Sequence, residues 1–367
     1  MPTISVETLR GWLEEQRPVS ILDVRPQGER NEWAIPGSLH IDAYDALKAR
    51  DPAALSSFVA PRDRPVVTVC GAGKTSQIAA AQLAARELEV YSLEGGMQAW
   101  SLAWNTAEII VAGSAVRVIQ VRRTGKGCLS YVIGVDAEAF VIDASLDPRL
   151  YLDIAAHHGW QITHVFDTHI HADHLSRARQ LAEQSGAMLF LLAQQRVSFP
   201  FLEVRDEATW QMGSLGLTAL HTPGHTPEST CYLLGNQMLF TGDTIFLTGV
   251  GRPDLHTTPD DAYRRAEALY QSVHRLLALA PATIVLPGHT STPIPFDGVP
   301  IASTLAHIDA QIEMLHLTHT DFVHQLLSRL PDTPPHYEQI VMLNEQGLFP
   351  DGPVTELEAG ANRCAIS

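Results

Sequence analysis

The sequence predicts two α/β units in tandem, the first built on a mostly parallel sheet. Three observations carry this. Over residues 1–105, short apolar runs alternate with helical stretches, the signature of strands joined by helices. Near Ala112-Gly113-Ser114 the pattern changes to three successive strand-like runs, and helix and strand then alternate again. The length of 367 residues suits two or three domains, and a composition of 45% apolar and 18% charged residues is that of a globular chain.

In the first unit Ser5 is placed to cap a helix through Glu14, with Val6, Leu9, Trp12 and Leu13 on one face. Strands are expected at 19–24, 66–69 and 90–93, with an alanine-rich helix at 77–87. Residues 106–114 read as a linker, and 115–367 as the second unit. There strands are expected at 116–122, 129–134, 139–143, 162–167, 187–191, 217–220, 230–234, 237–240 and 283–286. Helices are expected at 148–158 and 175–185, with a helical tail over 303–329.

The net charge is −16, and no Lys/Arg-rich run appears, which argues against nucleic-acid or anionic-membrane partners. No apolar run approaches the roughly 20 residues of a membrane helix. The start, MPTISVETLR, lacks the basic and apolar regions of a secretory signal. Four scattered cysteines form no CxxC pair, so a reducing cytoplasm is the expected setting. Histidine is abundant, with 17 residues, several tightly clustered.

The densest cluster is THIHADHL, residues 168–175, which supplies His169, His171, Asp173 and His174 just after an expected strand. His225 in HTPGHT, Asp243 in FTGDT and His289 in LPGH follow, each in a strand-end or glycine/proline turn. Such loops gather ligands in layered α/β scaffolds, and imidazole with carboxylate suits Zn, Fe or Mn. A single such histidine is more often a satisfied polar residue. Seven groups in four strand-end loops point to a metal site.

HxHxDH, HTPGHT, GD and GH in this order resemble the metallo-β-lactamase superfamily over about residues 114–367. The resemblance implies an αββα sandwich with the metal between the sheet edges, here followed by a helical C-terminal tail. Fold alone does not give the reaction. Ala172 stands where hydroxyacylglutathione hydrolases usually carry an aromatic, and Leu175 where they tend to a small residue. With GRPD after Asp243, the set looks like the persulfide dioxygenase branch. That branch implies one Fe(II) per chain, held by His169, His225 and Asp243, a two-histidine, one-carboxylate triad with open positions. His171, Asp173, His174 and His289 would then orient the ligands. They equally supply the remaining ligands of a dinuclear zinc hydrolase bridged by Asp243, so iron and zinc both stay open. Arg252 and Asp254 are a structural ion pair or line the substrate pocket.

Residues 66–76, VVTVCGAGKTS, end in the last letters of a phosphate-binding P-loop. The required earlier glycine is absent, because that position is Thr68 inside the strand. Cys70 instead opens the loop Gly71, Ala72, Gly73, Lys74, Thr75, Ser76 ahead of a helix. Loop amides and a helix N-terminus favour thiolate, and the glycines allow an anion-binding nest suited to a persulfide on Cys70. Together with ILDVRPQGERNEWAIPGSLHI and VYSLEGGMQAW, the loop resembles the α/β rhodanese domain, a parallel sheet flanked by helices, over nearly all of 1–105. Cys70 matches the sulfur-carrying cysteine. Thr75 departs from the pattern, standing where many active members carry arginine. The joint resemblance implies oxidation of glutathione persulfide by O₂ to sulfite and thiol, with sulfane-sulfur transfer involving sulfite or thiosulfate, in a homodimer.

Overall fold

The computed structural model describes residues 2–360 and 362–366. The first unit holds five parallel strands in the order Thr3–Ile4, Val90–Leu93, Val66–Val69, Ser20–Asp23, Leu39–His40. Ser5 caps the helix Val6–Glu14 by accepting from Thr8 N, as its position suggests. Val66–Val69 is buried on both faces, which is why three of its four residues are valine, with the Thr68 hydroxyl donating to Ser76 O. One face packs on the helix Thr75–Ala84 through Ala79, Ala80 and Leu83. The other packs on Met97 and Trp100 of the short helix Gly96–Trp100.

The second unit is two sheets face to face. Seven strands run in the order Leu202–Val204, Met188–Leu192, Gln161–Phe166, Glu138–Ile142, Leu129–Val135, Arg117–Arg122, Asn105–Ile110. Six run Thr209–Met212, Leu215–His221, Thr230–Leu234, Met238–Gly242, Ile284–Pro287, Ser303–Thr304. Leu129, Tyr131 and Ile133 point into the core between the sheets, against Leu217, Tyr232 and Phe240. Val132 points the other way, into the layer with helices Pro148–His157 and Ala178–Ser185. The second sheet is covered by helices Pro259–Leu277, Leu305–Gln311 and His319–Ser328. The layers are therefore αββα.

Residues 106–114 are not a linker throughout, because Asn105–Ile110 forms an edge strand paired antiparallel with Arg117–Arg122. Its alternation of inward Asn105 and Ala107 with outward Glu108 is short and weakly apolar. The helix Pro259–Leu277 was not expected, although Thr258 caps it by accepting from Asp261 N and proline stands in its first turn. The expected helix at 175–185 starts only at Ala178, because Leu175 N and Ser176 N donate to the side chains of Glu358 and Asn344. The tail continues past the expected helices through Tyr337–Gln346 and Thr355–Glu358 to a strand, Ala365–Ile366, paired with Val250–Gly251.

The two units share a buried junction. Trp33 Nε1 donates to Thr124 O at 3.3 Å, Arg123 Nε donates to Ser101 O at 2.7 Å, and Trp100 packs on Phe296 at 6.0 Å between ring centroids. No helix among the described residues is long and apolar enough to cross a membrane.

Candidate metal centre and thiol loop

The strand Gln161–Phe166 delivers the histidine loop to the sheet edge. Asp143, at the end of the neighbouring strand, fixes its start by accepting from Thr168 N at 2.7 Å and from Thr168 Oγ1 at 2.9 Å. With its proton on Asp143, the threonine hydroxyl accepts from His169 Nδ1 at 2.9 Å. His225 Nδ1 donates to Arg252 O at 2.7 Å. Both tautomers leave Nε2 with a bare lone pair. These two Nε2 atoms lie 3.8 Å and 3.5 Å from Asp243 Oδ2. All three residues are buried, and neither Nε2 has a hydrogen-bond partner. Burial keeps both imidazoles below their ordinary range and hence neutral, with His171 adding to the effect at His169. Burial works against an ionised Asp243, but His289, whose Nε2 lies 3.1 Å from Oδ2, outweighs it and holds the carboxyl well below the usual range. Two lone pairs and a carboxylate converging among buried residues are the chemistry of a divalent cation site.

The other four groups do not close on a second common point. His171 Nε2 faces Asp143 at 3.3 Å and Asp167 at 3.8 Å. Burial opposes charging this ring, yet the two carboxylates hold it well above the ordinary range. Asp173 is engaged on both oxygens: His174 Nδ1 lies 3.0 Å from one, and Asn362 Nδ2 and Cys128 Sγ donate to the other at 2.8 Å and 3.2 Å. His289 Nε2 lies 3.1 Å from Asp243 Oδ2, and its ring packs at a tilt on Phe246, 4.2 Å between centroids. Asp173 and His174 cluster with Cys128, whereas Asp243 and His289 cluster with Cys364.

Arg252 is only 1% exposed. It donates to both oxygens of Asp254 at 2.8 Å and to the carbonyls of Pro331, Asp332 and Arg363. Its guanidinium therefore pins the tail, and only its backbone oxygen reaches the centre. The tail supplies groups that sequence reasoning did not find. Asn362 holds Asp173. Asn344 Nδ2 donates to the carbonyls of His171 and His174. Glu358 accepts from Leu175 N, Arg177 and Arg123. Isolated polar residues in a weakly patterned tail carry no local signal for such roles.

In the first unit Cys70 is buried, and its Sγ donates to Ser76 Oγ at 3.3 Å. Ser76 Oγ also accepts from Ser92 Oγ at 2.9 Å. Among the described residues the amides of Ala72, Gly73, Lys74 and Thr75 donate to no protein acceptor, as an anion cradle requires. Gly73 has φ +78°, and a Cβ there would lie 2.8 Å from Gly95 N, so only glycine lets the loop turn against its neighbour. Met97 N and Gln98 N donate to the carbonyls of Cys70 and Gly71, which fixes the loop from behind.

Comparison with known proteins agrees with this division. Residues 5–103 match the rhodanese-like domain, and residues 123–196 and 192–289 match the metallo-beta-lactamase superfamily. A hydroxyacylglutathione hydrolase of Rhizobium johnstonii is 33% identical over 144 residues, 38% of this chain and 53% of that one. The Rhizobium meliloti hydroxyacylglutathione hydrolase is 32% identical, over 41% of this chain and 57% of its own. The chain thus spans little more than half the length of these curated relatives. Among solved structures, a metallo-beta-lactamase from Staphylococcus aureus subsp. aureus COL is 29% identical with a TM-score of 0.58, over 64% of this chain and 74% of that one. ETHE1 from Myxococcus xanthus is 28% identical with a TM-score of 0.53, over 66% of this chain and 98% of that one. The chain joins a rhodanese-like domain to a metallo-β-lactamase fold that ends in a helical tail, and that fold implies a divalent metal.

Proposed function

We propose that the second unit is a mononuclear persulfide dioxygenase and the first a sulfurtransferase working through Cys70. One observation carries the reading: His169, His225 and Asp243 converge on a single point, while Asp173 and His174 lie in a different cluster from His289. A triad with open positions suits an iron that must accept both a sulfur substrate and O₂. The overall reaction is R–S–SH + O₂ + H₂O → R–SH + H₂SO₃, in which the outer sulfur is oxidised and O₂ is reduced. When bound, iron supplies the redox chemistry with O₂. The chain's own residues hold and orient: Thr168 and Arg252 O set the two ligand tautomers, and Asn344 and Glu358 fix the loop. The THIHADHL and GRPD elements support the same reading, with glutathione persulfide as the substrate. The thiolate of Cys70 would attack the outer sulfur of a donor such as thiosulfate, breaking the S–S bond to release sulfite and leaving Cys70–S–S⁻ in the cradle.

The hydroxyacylglutathione hydrolase relatives favour a second reading, a zinc thioesterase with an accessory rhodanese module. Metal analysis with an oxygen electrode separates the two. One iron per chain and O₂ uptake driven by glutathione persulfide are expected. Two zincs and thioester hydrolysis without O₂ uptake would replace the first reading by the second.

A further inference from the structure

Three of the four cysteines give their S–H to a protein acceptor: Cys70 to Ser76 Oγ, Cys128 to Asp173 Oδ2 and Cys231 to Thr241 O. Cys364, fully buried, donates to nothing among the described residues. Its Sγ, a nitrogen of His289 and a carboxylate oxygen of Asp243 all lie within 4.8 Å of one another. His289 is only half satisfied: Nε2 lies 3.1 Å from Asp243 Oδ2, and Nδ1 is buried without a partner. A buried thiol by itself is usually inert packing. A thiol, an imidazole and a carboxylate that converge are a ligand set.

The tail is pinned on both sides of this thiol. Asn362 Nδ2 donates to Asp173 Oδ2 at 2.8 Å. Arg252 N donates to Cys364 O at 2.9 Å, and Ala365–Ile366 pairs with Val250–Gly251. That strand lies directly on the metal centre, since a Cβ on Gly251 would fall 2.0 Å from Asp243 O. Ile170 and Ala172 of the histidine loop share one apolar cluster with Cys364. The thiol groups with Asp243 and His289, whereas His169 and His225 form their own group with Asp243. Asp173 and His174 are turned instead towards Cys128 and Asn362.

We propose that Asp243, His289 and Cys364 form a second cation position, which shares Asp243 with the first and takes a thiophilic divalent ion such as Zn²⁺. Binding exchanges the thiol proton for the metal: Cys364–SH + Zn²⁺ → Cys364–S–Zn⁺ + H⁺. Three protein ligands leave the fourth tetrahedral position to water. The inference goes beyond the dioxygenase reading and does not depend on it. One iron per chain remains the expectation at the first position, because thiolate at the second selects zinc.

The test is titration of Co²⁺, a spectroscopic stand-in for zinc, into the metal-free full chain carrying Cys70→Ser, kept reduced and free of O₂. Cobalt bound by thiolate absorbs in the near ultraviolet through sulfur-to-metal charge transfer, which histidine and carboxylate ligands do not produce. Two equivalents are expected to bind, and the band grows with one of them. In Cys364→Ser the band is expected to vanish and that equivalent to bind about a hundredfold or more weaker, with the other equivalent retained. Cys128→Ser is expected to keep the band. A parent that shows no band overturns the proposal, as does a band that survives Cys364→Ser or is lost in Cys128→Ser. Thermal unfolding is followed alongside. If Cys364→Ser does not fold, His289→Gln decides, because it keeps the thiol and removes the imidazole. An unchanged affinity of the band-forming equivalent in that variant overturns the proposal too. Persulfide-driven O₂ uptake with one iron and no cobalt band would sink this proposal alone. The band without O₂ uptake would sink the dioxygenase reading alone.

Discussion

The chain presents two sites at strand ends, and they are assembled in opposite ways. The thiol loop is local. Cys70, its glycines and Ser76 lie within seven consecutive positions, and the donor groups are backbone amides of the same turn. The candidate metal centre is non-local. Its three convergent residues span positions 169 to 243, and the groups that fix them come from Asp143 through Asn362. A local site depends on conformation, which glycine placement and a helix start can encode. A non-local site depends on the whole sandwich and its tail being folded.

That contrast can be broken most forcefully at Asp243. Asp243→Ala should lower metal retention by about a hundredfold or more, since even groups that only support a ligand account for ten- to a hundredfold. Persulfide-dependent O₂ uptake should vanish with the metal. Thiosulfate sulfurtransfer through Cys70 should persist, because none of that loop's contacts reach Asp243. The mirror experiment is Cys70→Ser: sulfur transfer falls to background while O₂ uptake and metal content hold. If Cys70→Ser also abolished O₂ uptake, the two sites would not be separable, and a delivery role for the first unit would replace the independent one.

The two regions are nonetheless joined through Glu358. Its carboxylate meets Arg123, which donates to Ser101 of the first unit, and Arg177 and Leu175 N of the histidine loop. Burial works against its charge, but Arg123 and Arg177 pull its carboxyl from the ordinary 4.5 down to about 2. A depressed carboxyl contributes stability that is fully present above its unfolded value of 4.5 and is lost as pH falls through about 2. The contribution is of order 3 kcal/mol. Glu358→Gln should therefore cost about 3 kcal/mol at neutral pH, because two buried arginines lose their counter-charge. Its stability should also be less acid-sensitive than wild type between about pH 5 and pH 2. Denaturant midpoints measured across that range check both. An unchanged pH slope would remove Glu358 as the acid-sensitive link.

How much of this was legible in the sequence follows the same division. The thiol loop was readable residue by residue, down to the glycine that tolerates φ +78°. The three residues that converge at the candidate metal centre were readable because each sits in a short turn after an apolar strand. Glu358, Asn344 and Asn362 were not. Each acts across more than 160 residues of chain, and nothing local distinguishes them from solvated polar residues. The same distance effect moved a helix start from 175 to Ala178, where a tertiary carboxylate and an amide captured backbone donors that a local pattern assigned to the helix. Asn105–Ile110 was hidden for a related reason: an edge strand needs only a neighbour to pair with, and its own sequence is barely apolar.

The smallest expected effect lies in the local site and tests whether it is as self-contained as its sequence suggests. Ser76 Oγ accepts from both Cys70 Sγ and Ser92 Oγ, which leaves its own proton free to turn. When Cys70 loses its proton, the Ser76 hydroxyl can reverse and donate to the thiolate, and later to the persulfide. One hydrogen bond to a charged sulfur is worth about 1.5–3 kcal/mol at most, and the unpartnered amides of the loop share that duty. Ser76→Ala should thus slow sulfur transfer by about tenfold or less, leaving O₂ uptake and metal content unchanged. A fall as deep as that of Cys70→Ser would mean that the serine, not the amide cradle, holds the anion. The local site would then rest on one side chain rather than on the conformation of its loop.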